Sequence, residues 1–182
     1  MSAADARQTA DERITRWVRE HARAIRGYVL GLVRRLDVAD DIVQEVFQRA
    51  WQARERYRDE GHERAYLLRI ADRLVVDRSR RRSHELNVDD SAWHDVEPAA
   101  RVELPLDILA RGEAGEELTA ALNELTDSQK RVLLLRFFGD LTFEEIAQTL
   151  ECPLGTALSH CRRGLMALRK ILSSAPSGTE MT

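Results

Sequence analysis

The segment from Leu141 to Lys170 has the pattern of two helices joined by a tight turn, and it constrains the fold more than any other part of the chain. Thr142 can cap the first helix, and Glu145, three positions on, can return a hydrogen bond to the backbone of the cap. Pro153 suits the first turn of the second helix, because its missing N–H is not needed there. The spacing therefore predicts a helix-turn-helix.

The second of these two helices is basic. From Thr156 to Lys170 the sequence contains no acidic residue, and four positions carry a positive charge: Arg162, Arg163, Arg169 and Lys170. A basic helix presented by a tight turn can enter the negatively charged groove of duplex DNA. The alternative is an ordinary helical hairpin with a solvated basic face.

The net charge of −3 conceals an uneven distribution of charge along the 182 residues. The stretch 62–83 holds seven arginines and three acids, whereas the stretch 84–125 holds eleven acids and two arginines. Basic segments separated by an acidic spacer remain compatible with nucleic-acid binding. A hydrophobic content of 43% with only 5% aromatic residues is typical of a soluble helical protein.

Apolar residues recur at three- and four-residue steps through two blocks of the sequence. Apolar and polar residues do not alternate over a length that would predict a strand. We expect an all-α protein made of two small helical domains joined by a flexible acidic linker, with the helix-turn-helix in the second domain. Breaks at 37–39 and 57–62 divide the first block into three helices. The residues 126–129 form a second capping signal, with Thr126 as the cap, and Gly139 can end the helix that starts there. The expected boundaries are 11–83 for the first domain, 84–115 for the linker, 116–172 for the second domain and 173–182 for the tail.

Other classes of site find little support in the sequence. Cys152 and Cys161 form neither a disulfide framework nor a zinc pattern. The five histidines (21, 62, 84, 94 and 160) lack paired metal spacing on one helix, and no nucleophile is grouped with a base. We therefore expect no cofactor, no metal and no catalytic residue. No apolar run could span a bilayer and the N-terminus has no signal-peptide core, which predicts a cytoplasmic protein without a membrane span.

An acidic cluster lies at the start of the second predicted helix. Asp40, Asp41 and Glu45 fall within about one and a half turns, so they can share one face. With Gln44 and Phe47 beside them, they form a patch that combines charge with an apolar anchor. On its own, the simpler interpretation is a solvated acidic helix start, which the helix dipole favours.

Four segments in this order resemble the sigma factors of bacterial RNA polymerase, and most closely the short extracytoplasmic-function (ECF) group. The segment 37–51 is similar to the polymerase-binding helix of that group, and 64–82 is similar to its −10-reading segment. The segments 125–136 and 141–170 are similar to its −35-reading domain. The resemblance covers roughly residues 11–172. It implies a dissociable initiation subunit that binds core polymerase, places its two domains on the −10 and −35 elements and promotes strand opening without catalysing a bond.

The resemblance also implies roles for particular residues. The acidic patch of Asp40, Asp41, Gln44, Glu45 and Phe47 is expected to dock on the β′ clamp helices of core polymerase. Arginines can attract phosphates and stack on unpaired bases; the expected −10 contacts are Arg64, Arg73, Arg78, Arg80, Arg81 and Arg82. The expected −35 contacts in the major groove are Thr156, Leu158, Ser159, Arg162 and Arg163. An anti-sigma factor that occupies these same surfaces is the expected regulator.

The sequence departs from the family pattern at five positions. Asp72 stands where a basic residue is common, Arg73 where an Asn is usual, and Tyr66 where a Trp is usual. Leu158 and His160 both stand where basic residues are frequent. We expect the promoter preference of this chain to differ from that of its relatives at these positions.

Two other functions remain open on the sequence alone. A helix-turn-helix regulator that binds duplex DNA without polymerase would account for 125–170, but it leaves 37–51 and 64–82 without a role. A helical enzyme is the third class, and no grouping of reactive residues supports it.

Overall fold

The computed structural model describes residues 3–58, 61–86 and 113–174, with side chains described for 9–58, 61–81 and 117–174. Within these ranges the chain is helical and contains no strand, which confirms the expected all-α class. Of the helices described, none has both the length and the apolar character needed to span a bilayer. In chain order the helices are α1 (Ala3–Val33), α2 (Leu36–Gln52), α3 (Glu63–Leu86), α4 (Glu113–Asn123), α5 (Asp127–Phe137), α6 (Phe143–Thr149) and α7 (Leu154–Ser174).

Helices α1, α2 and α3 pack together as the first unit, around fully buried side chains such as Trp17 and Ile42. The expected break at 37–39 is wrong, because the chain leaves the helical conformation three residues earlier. Arg34 has a φ of 55°, in the left-handed region that commonly ends a helix. Asp37 instead lies in the first turn of α2, where the helix dipole favours a carboxylate.

Helices α4 to α7 form the second unit, and two capping boxes set its helix starts. Thr126 accepts a hydrogen bond from the backbone N–H of Gln129, whose side chain bonds back to the Thr126 N–H. Thr142 and Glu145 make the same reciprocal pair at the start of α6, with N···O distances of 3.2 and 2.8 Å. Both capping signals predicted from the sequence are thereby confirmed.

Helix α5 ends close to the glycine expected to stop it, but the glycine does not take the left-handed conformation. That conformation falls on Asp140, with a φ of 52°. What requires Gly139 is space, because a Cβ there would lie 2.5 Å from the Leu135 carbonyl oxygen and 2.8 Å from Leu68 Cδ1. Leu68 belongs to α3, so this glycine allows the two units to approach.

The helices extend into the segment expected to be the linker. Helix α3 runs to Leu86 and α4 begins at Glu113, which places three residues at each end of 84–115 in helix. The first helix likewise begins at Ala3, before the expected domain start. The rest of the expected linker and the chain after residue 174 lie outside the described residues.

The two units share one continuous hydrophobic core. Contacts join α1 to α5 and α3 to α6. At Gly31 of α1, an added Cβ would lie 2.9 Å from Leu134 Cδ1 of α5, so the leucine fills space that a larger residue would occupy. The segment that resembles a −10 reader therefore lies against the unit that carries the helix-turn-helix.

Candidate nucleic-acid interface

The turn between α6 and α7 aims the second helix of the helix-turn-helix. Glu151 has a φ of 53°, which reverses the chain after α6. The Pro153 carbonyl then accepts hydrogen bonds from the N–H groups of Thr156 (2.9 Å) and Ala157 (3.2 Å), which starts α7. The local sequence thus builds the turn with backbone bonds, and it leaves the outer face of α7 available.

Helix α7 buries one face and exposes the other. Ala157, Cys161 and Gly164 are buried at helical spacing. Gly164 allows close packing on α5, since a Cβ there would lie 2.9 Å from Leu133 Cδ1. The expected −35 contacts are on the other side: Leu158, Arg162 and Arg163 are exposed, and Thr156 and Ser159 are partly exposed. This face carries two arginines and a leucine that is 44% exposed, which suits contact with base edges and a thymine methyl group.

Three arginines of α3 are held by acids of the second unit. Glu151 accepts hydrogen bonds from Arg69 (2.9 Å) and Arg73 (2.5 Å). These bonds, from Arg69 and then Arg73, lower the pKa of Glu151 below its ordinary value of 4.5. Arg64 pairs with Asp140 at 3.3 Å. Two expected −10 contacts, Arg64 and Arg73, are therefore engaged by carboxylates in this arrangement.

Arg69 was not among the expected −10 contacts, although it shares Glu151 with Arg73. Its position four residues before Arg73 is a signal the sequence offers, because residues at this spacing lie on the same face of a helix. The structure thus groups Arg69 and Arg73 on one acid from a segment 78 or more residues away.

A buried carboxylate lies at the centre of the contact between the units. Asp72 is 3% exposed and accepts a hydrogen bond from the Tyr28 hydroxyl at 2.6 Å. Arg131 of α5 donates to both oxygens of the same carboxylate, with its Nε at 2.7 Å. Burial, followed by the charge of Asp72, raises the pKa of Tyr28 well above its ordinary value. Asp72, which stands where a basic residue is common in the family, therefore forms a contact between the two units.

The remaining expected −10 arginines lie further along α3. Arg78 pairs with Asp41 of α2 at 3.4 Å, so it joins two helices of the first unit. Arg80 and Arg81 are exposed, and no ion pair joins them to a described residue. The side chain of Arg82 lies outside the described residues. The outer end of α3 therefore presents positive charge that the second unit does not cover.

Tyr66 contributes to an aromatic cluster. Its ring centroid lies 4.9 Å from that of Tyr57 and 6.0 Å from that of Trp17. Trp17 and Tyr57 meet edge to face at 4.8 Å. The cluster fixes the loop before α3 against α1, and the Tyr66 ring is only partly exposed.

The acids of the expected polymerase patch are accessible but individually paired. Asp40, Asp41 and Gln44 are exposed, and Glu45 is partly exposed. Ion pairs with half-exposed partners are weak and easily replaced. The pairs are Asp40 with Arg26 (2.6 Å), Asp41 with Arg78 (3.4 Å) and Glu45 with Arg49 (2.6 Å).

The apolar part of this patch is larger than the sequence indicated. Phe47 is only partly exposed, because it packs against the core. Trp51, one turn later on α2, is 48% exposed. The Arg54 guanidinium lies 4.0 Å from the centroid of the Trp51 ring. Trp51 was not proposed as a site residue, although its spacing from Phe47 places both on one side of α2.

Comparisons with known proteins agree on both units. The family model described as Sigma-70 region 2 matches residues 17–85, and the family model described as Sigma-70, region 4 matches residues 121–170. The ECF RNA polymerase sigma factor SigK of Mycobacterium tuberculosis is 31% identical over 149 residues, which cover 80% of this chain and 78% of that protein. The RNA polymerase sigma-H factor of Pseudomonas aeruginosa is 27% identical over 161 residues, which cover 85% of this chain and 83% of that protein.

Two solved structures have a similar fold. The sigma factor RpoE in complex with the anti-sigma factor NepR, from Bartonella quintana, aligns with a TM-score of 0.73 at 22% identity and covers 88% of this chain and 97% of that chain. CnrH in complex with the cytosolic domain of CnrY aligns with a TM-score of 0.67 at 19% identity and covers 95% and 96%. At these sequence identities, the similarity shows a shared arrangement of helices and nothing further.

Proposed function

The chain belongs to the ECF sigma factors of bacterial RNA polymerase, and from that membership we propose which of its surfaces bind polymerase and which read promoter DNA. It binds core RNA polymerase and directs promoter recognition, DNA opening and transcription initiation. The proposed role includes no bond-making step by this chain, because binding energy alone can shift DNA toward an open state. A polymerase subunit acts where the chromosome is, so we expect the chain in the cytoplasm.

The start of α2 is the proposed polymerase-docking surface. Its acids are exposed, and their arginine partners are also solvated, so a basic partner can replace them with little loss. Phe47 and Trp51 add apolar area beside the charges, and aromatic residues often supply much of the binding energy of an interface. The proposed partner is the pair of β′ clamp helices.

The exposed face of α7 is the proposed reader of the −35 element. Arg162 and Arg163 can each bind guanine through two hydrogen bonds, and Leu158 can contact a thymine methyl group. The N–H groups at the start of α7 are placed to bind a phosphate beside Thr156. His160 is partly buried, so its departure from the family pattern concerns packing more than contact.

Helix α3 is the proposed reader of the −10 element, and its arginines are the contacts. In the arrangement described, the Glu151 carboxylate binds Arg69 and Arg73. It takes the place that a DNA phosphate would have in the complex. The −10 and −35 elements are separated by about 25 base pairs, which is roughly 85 Å at about 3.4 Å per base pair. A 2.9 Å contact between α3 and the turn before α7 cannot persist when each lies on its own element. We therefore infer that the two units separate when the promoter is bound.

An anti-sigma factor is the proposed regulator. Two structural neighbours, RpoE and CnrH, were solved with the anti-sigma factor NepR and with the cytosolic domain of CnrY. For this chain we propose a partner that binds while the two units are in contact, since that state withdraws Arg69 and Arg73 from DNA. Such a partner would stabilise the closed arrangement by its preference for it.

The observation that carries the proposal is the match to both sigma regions on two units whose candidate DNA faces carry arginines. The test mixes the purified chain with core polymerase and measures promoter-specific transcription. A variant with Asp40→Ala and Asp41→Ala should lose transcription through weaker core binding. The matched control is Glu117→Ala with Glu124→Ala, which removes one exposed acid from α4 and one from the turn that follows it.

The possible outcomes separate the competing functions. Failure of the unaltered chain to associate with core polymerase would refute the proposed docking. Specific duplex binding without core would favour a helix-turn-helix regulator. Equal transcription by the Asp40/Asp41 variant and by the Glu117/Glu124 control would exclude Asp40 and Asp41 from the docking surface and leave the DNA-reading proposal intact.

A further inference from the structure

His21 is a buried histidine on α1 whose ring has no hydrogen-bond partner. It is 6% exposed, and neither Nδ1 nor Nε2 is paired with a described residue. A neutral imidazole has one donor and one acceptor nitrogen, and both are normally paired when buried. The promoter and polymerase surfaces described above make no use of this ring.

Two carboxylates lie beside the ring. Glu20 precedes His21 on α1, and Glu63 is the first residue of α3. One ligand atom from each of the three side chains lies within 4.8 Å of the others. Glu20 is exposed and no described residue pairs with it, whereas Glu63 is bound by Arg16 at 3.3 Å. The group thus combines a buried nitrogen with two oxygens that solvent can reach.

We propose that Glu20, His21 and Glu63 form a binding site for a first-row divalent metal ion, with Zn²⁺ as the preferred occupant. Zn²⁺ binds imidazole nitrogen and carboxylate oxygen at about 2.0–2.2 Å, and a water molecule can complete its tetrahedron. Ligand atoms around such an ion lie roughly 3.4 Å apart, so modest side-chain rotation closes the site. Mg²⁺ and Ca²⁺ prefer sites made of oxygen alone, and the imidazole selects against them.

The charges around the site both favour and oppose a cation. Two carboxylates balance a divalent charge, and a ring that has no hydrogen-bond partner has a nitrogen free to bind the ion. Arg16 and Arg64 oppose the ion. Arg16 is 46% exposed and can turn into solvent when Glu63 binds metal, and Arg64 is already paired with Asp140.

The metal would join α1 to the start of α3. That helix start follows the loop fixed by the aromatic cluster of Trp17, Tyr57 and Tyr66, and it carries Arg64. Histidine and glutamate come from segments 42 residues apart, so no spacing in the sequence marks them. The proposal does not depend on the assignment of the promoter surfaces.

The test uses the full chain, stripped of metal with a chelator and then titrated. Zn²⁺ binding is followed by calorimetry, and Co²⁺ binding by visible absorption. We expect a saturable single-site isotherm, a Co²⁺ spectrum without thiolate charge-transfer bands, and a melting temperature that rises with Zn²⁺. Glu20→Gln and His21→Ala should each weaken binding by about tenfold or more.

Glu20 is exposed, so its variant should fold even if the His21 variant does not. The matched controls are Glu117→Gln, which removes an exposed carboxylate from α4, and Cys152→Ser, which removes a competing thiol. Unchanged Zn²⁺ affinity in Glu20→Gln and Glu63→Gln, loss of affinity in Cys152→Ser, or no saturable binding by the unaltered chain would each overturn the proposal.

Discussion

Asp72 of α3 accepts two hydrogen bonds from the guanidinium of Arg131 in α5, across the contact between the two helical units. The carboxylate is 3% exposed, and the Tyr28 hydroxyl donates a third bond to it. A buried ion pair contributes little compared with an apolar pair of the same size, but the removal of one partner is costly. The pair therefore makes the closed arrangement specific, and its removal should disturb that arrangement.

Asp72→Asn should open the two units. The amide keeps the size of the side chain but loses the charge, which leaves Arg131 largely buried without a counterion; the cost is on the order of 3 kcal/mol. Small-angle scattering should report a larger radius of gyration than for the unaltered chain. Asp77→Asn, an exposed change on the same helix, should leave the radius unchanged. An unchanged radius in Asp72→Asn would show that the apolar contacts alone hold the units together.

Glu151→Gln should strengthen binding to single-stranded −10 DNA. Glu151 is exposed and binds Arg69 and Arg73, so its neutralisation frees two guanidiniums at little cost in stability. Fluorescence anisotropy with a labelled −10 oligonucleotide measures the change, and the steeper salt dependence of the variant reports the added phosphate contacts. Glu144→Gln, also exposed, serves as the control; equal gains in both variants would indicate a general charge effect.

Tyr28 should ionise later than an ordinary tyrosine. Burial and the charge of Asp72 raise its pKa well above 10.0 in the folded chain. Stability from the neutral phenol is therefore fully present below the ordinary pKa near 10, and it is lost as the pH rises toward the raised value. Absorbance of tyrosinate against pH should show one tyrosine that titrates only when the chain unfolds in alkali. Tyr28→Phe should remove the absorbance change that accompanies unfolding at high pH. If that change remains in the variant, it comes from another tyrosine.

Arg162→Ala should reduce the affinity of the holoenzyme for a promoter with an intact −35 element. A two-point arginine–guanine contact is worth roughly 1–3 kcal/mol, so the loss should depend on the base that Arg162 reads. Filter binding or anisotropy with duplexes altered at single −35 positions measures this dependence. Arg169→Ala, on an exposed position near the far end of α7, tests the contribution of charge alone. A uniform loss across all duplexes would make Arg162 a phosphate contact.

Features that depend on a few neighbouring residues could be predicted from the sequence. The capping boxes at Thr126 and Thr142 each need only four consecutive residues, and both are present. The sequence pattern places the end of α1 three residues too late, because the left-handed conformation of Arg34 is not typical of its residue type.

Contacts between distant segments could not be predicted in the same way. Asp72 and Arg131 are 59 residues apart, and no local pattern pairs them. The sequence did single out Asp72 and Arg73 as departures from the family, and the structure places both against the second unit. The grouping of Glu20, His21 and Glu63 likewise depends on the packing of α1 on α3.

The fit of Leu134 against Gly31 has a consequence for when this chain reads DNA. Leu134 is 2% exposed and Leu68 is 0% exposed, so separation of the units would expose to water apolar surface that is now buried. Each fully buried leucine is worth about 1.5–3 kcal/mol. A polymerase that covers these leucines after separation would offset that loss, and the chain would then read promoter DNA as part of a complete enzyme.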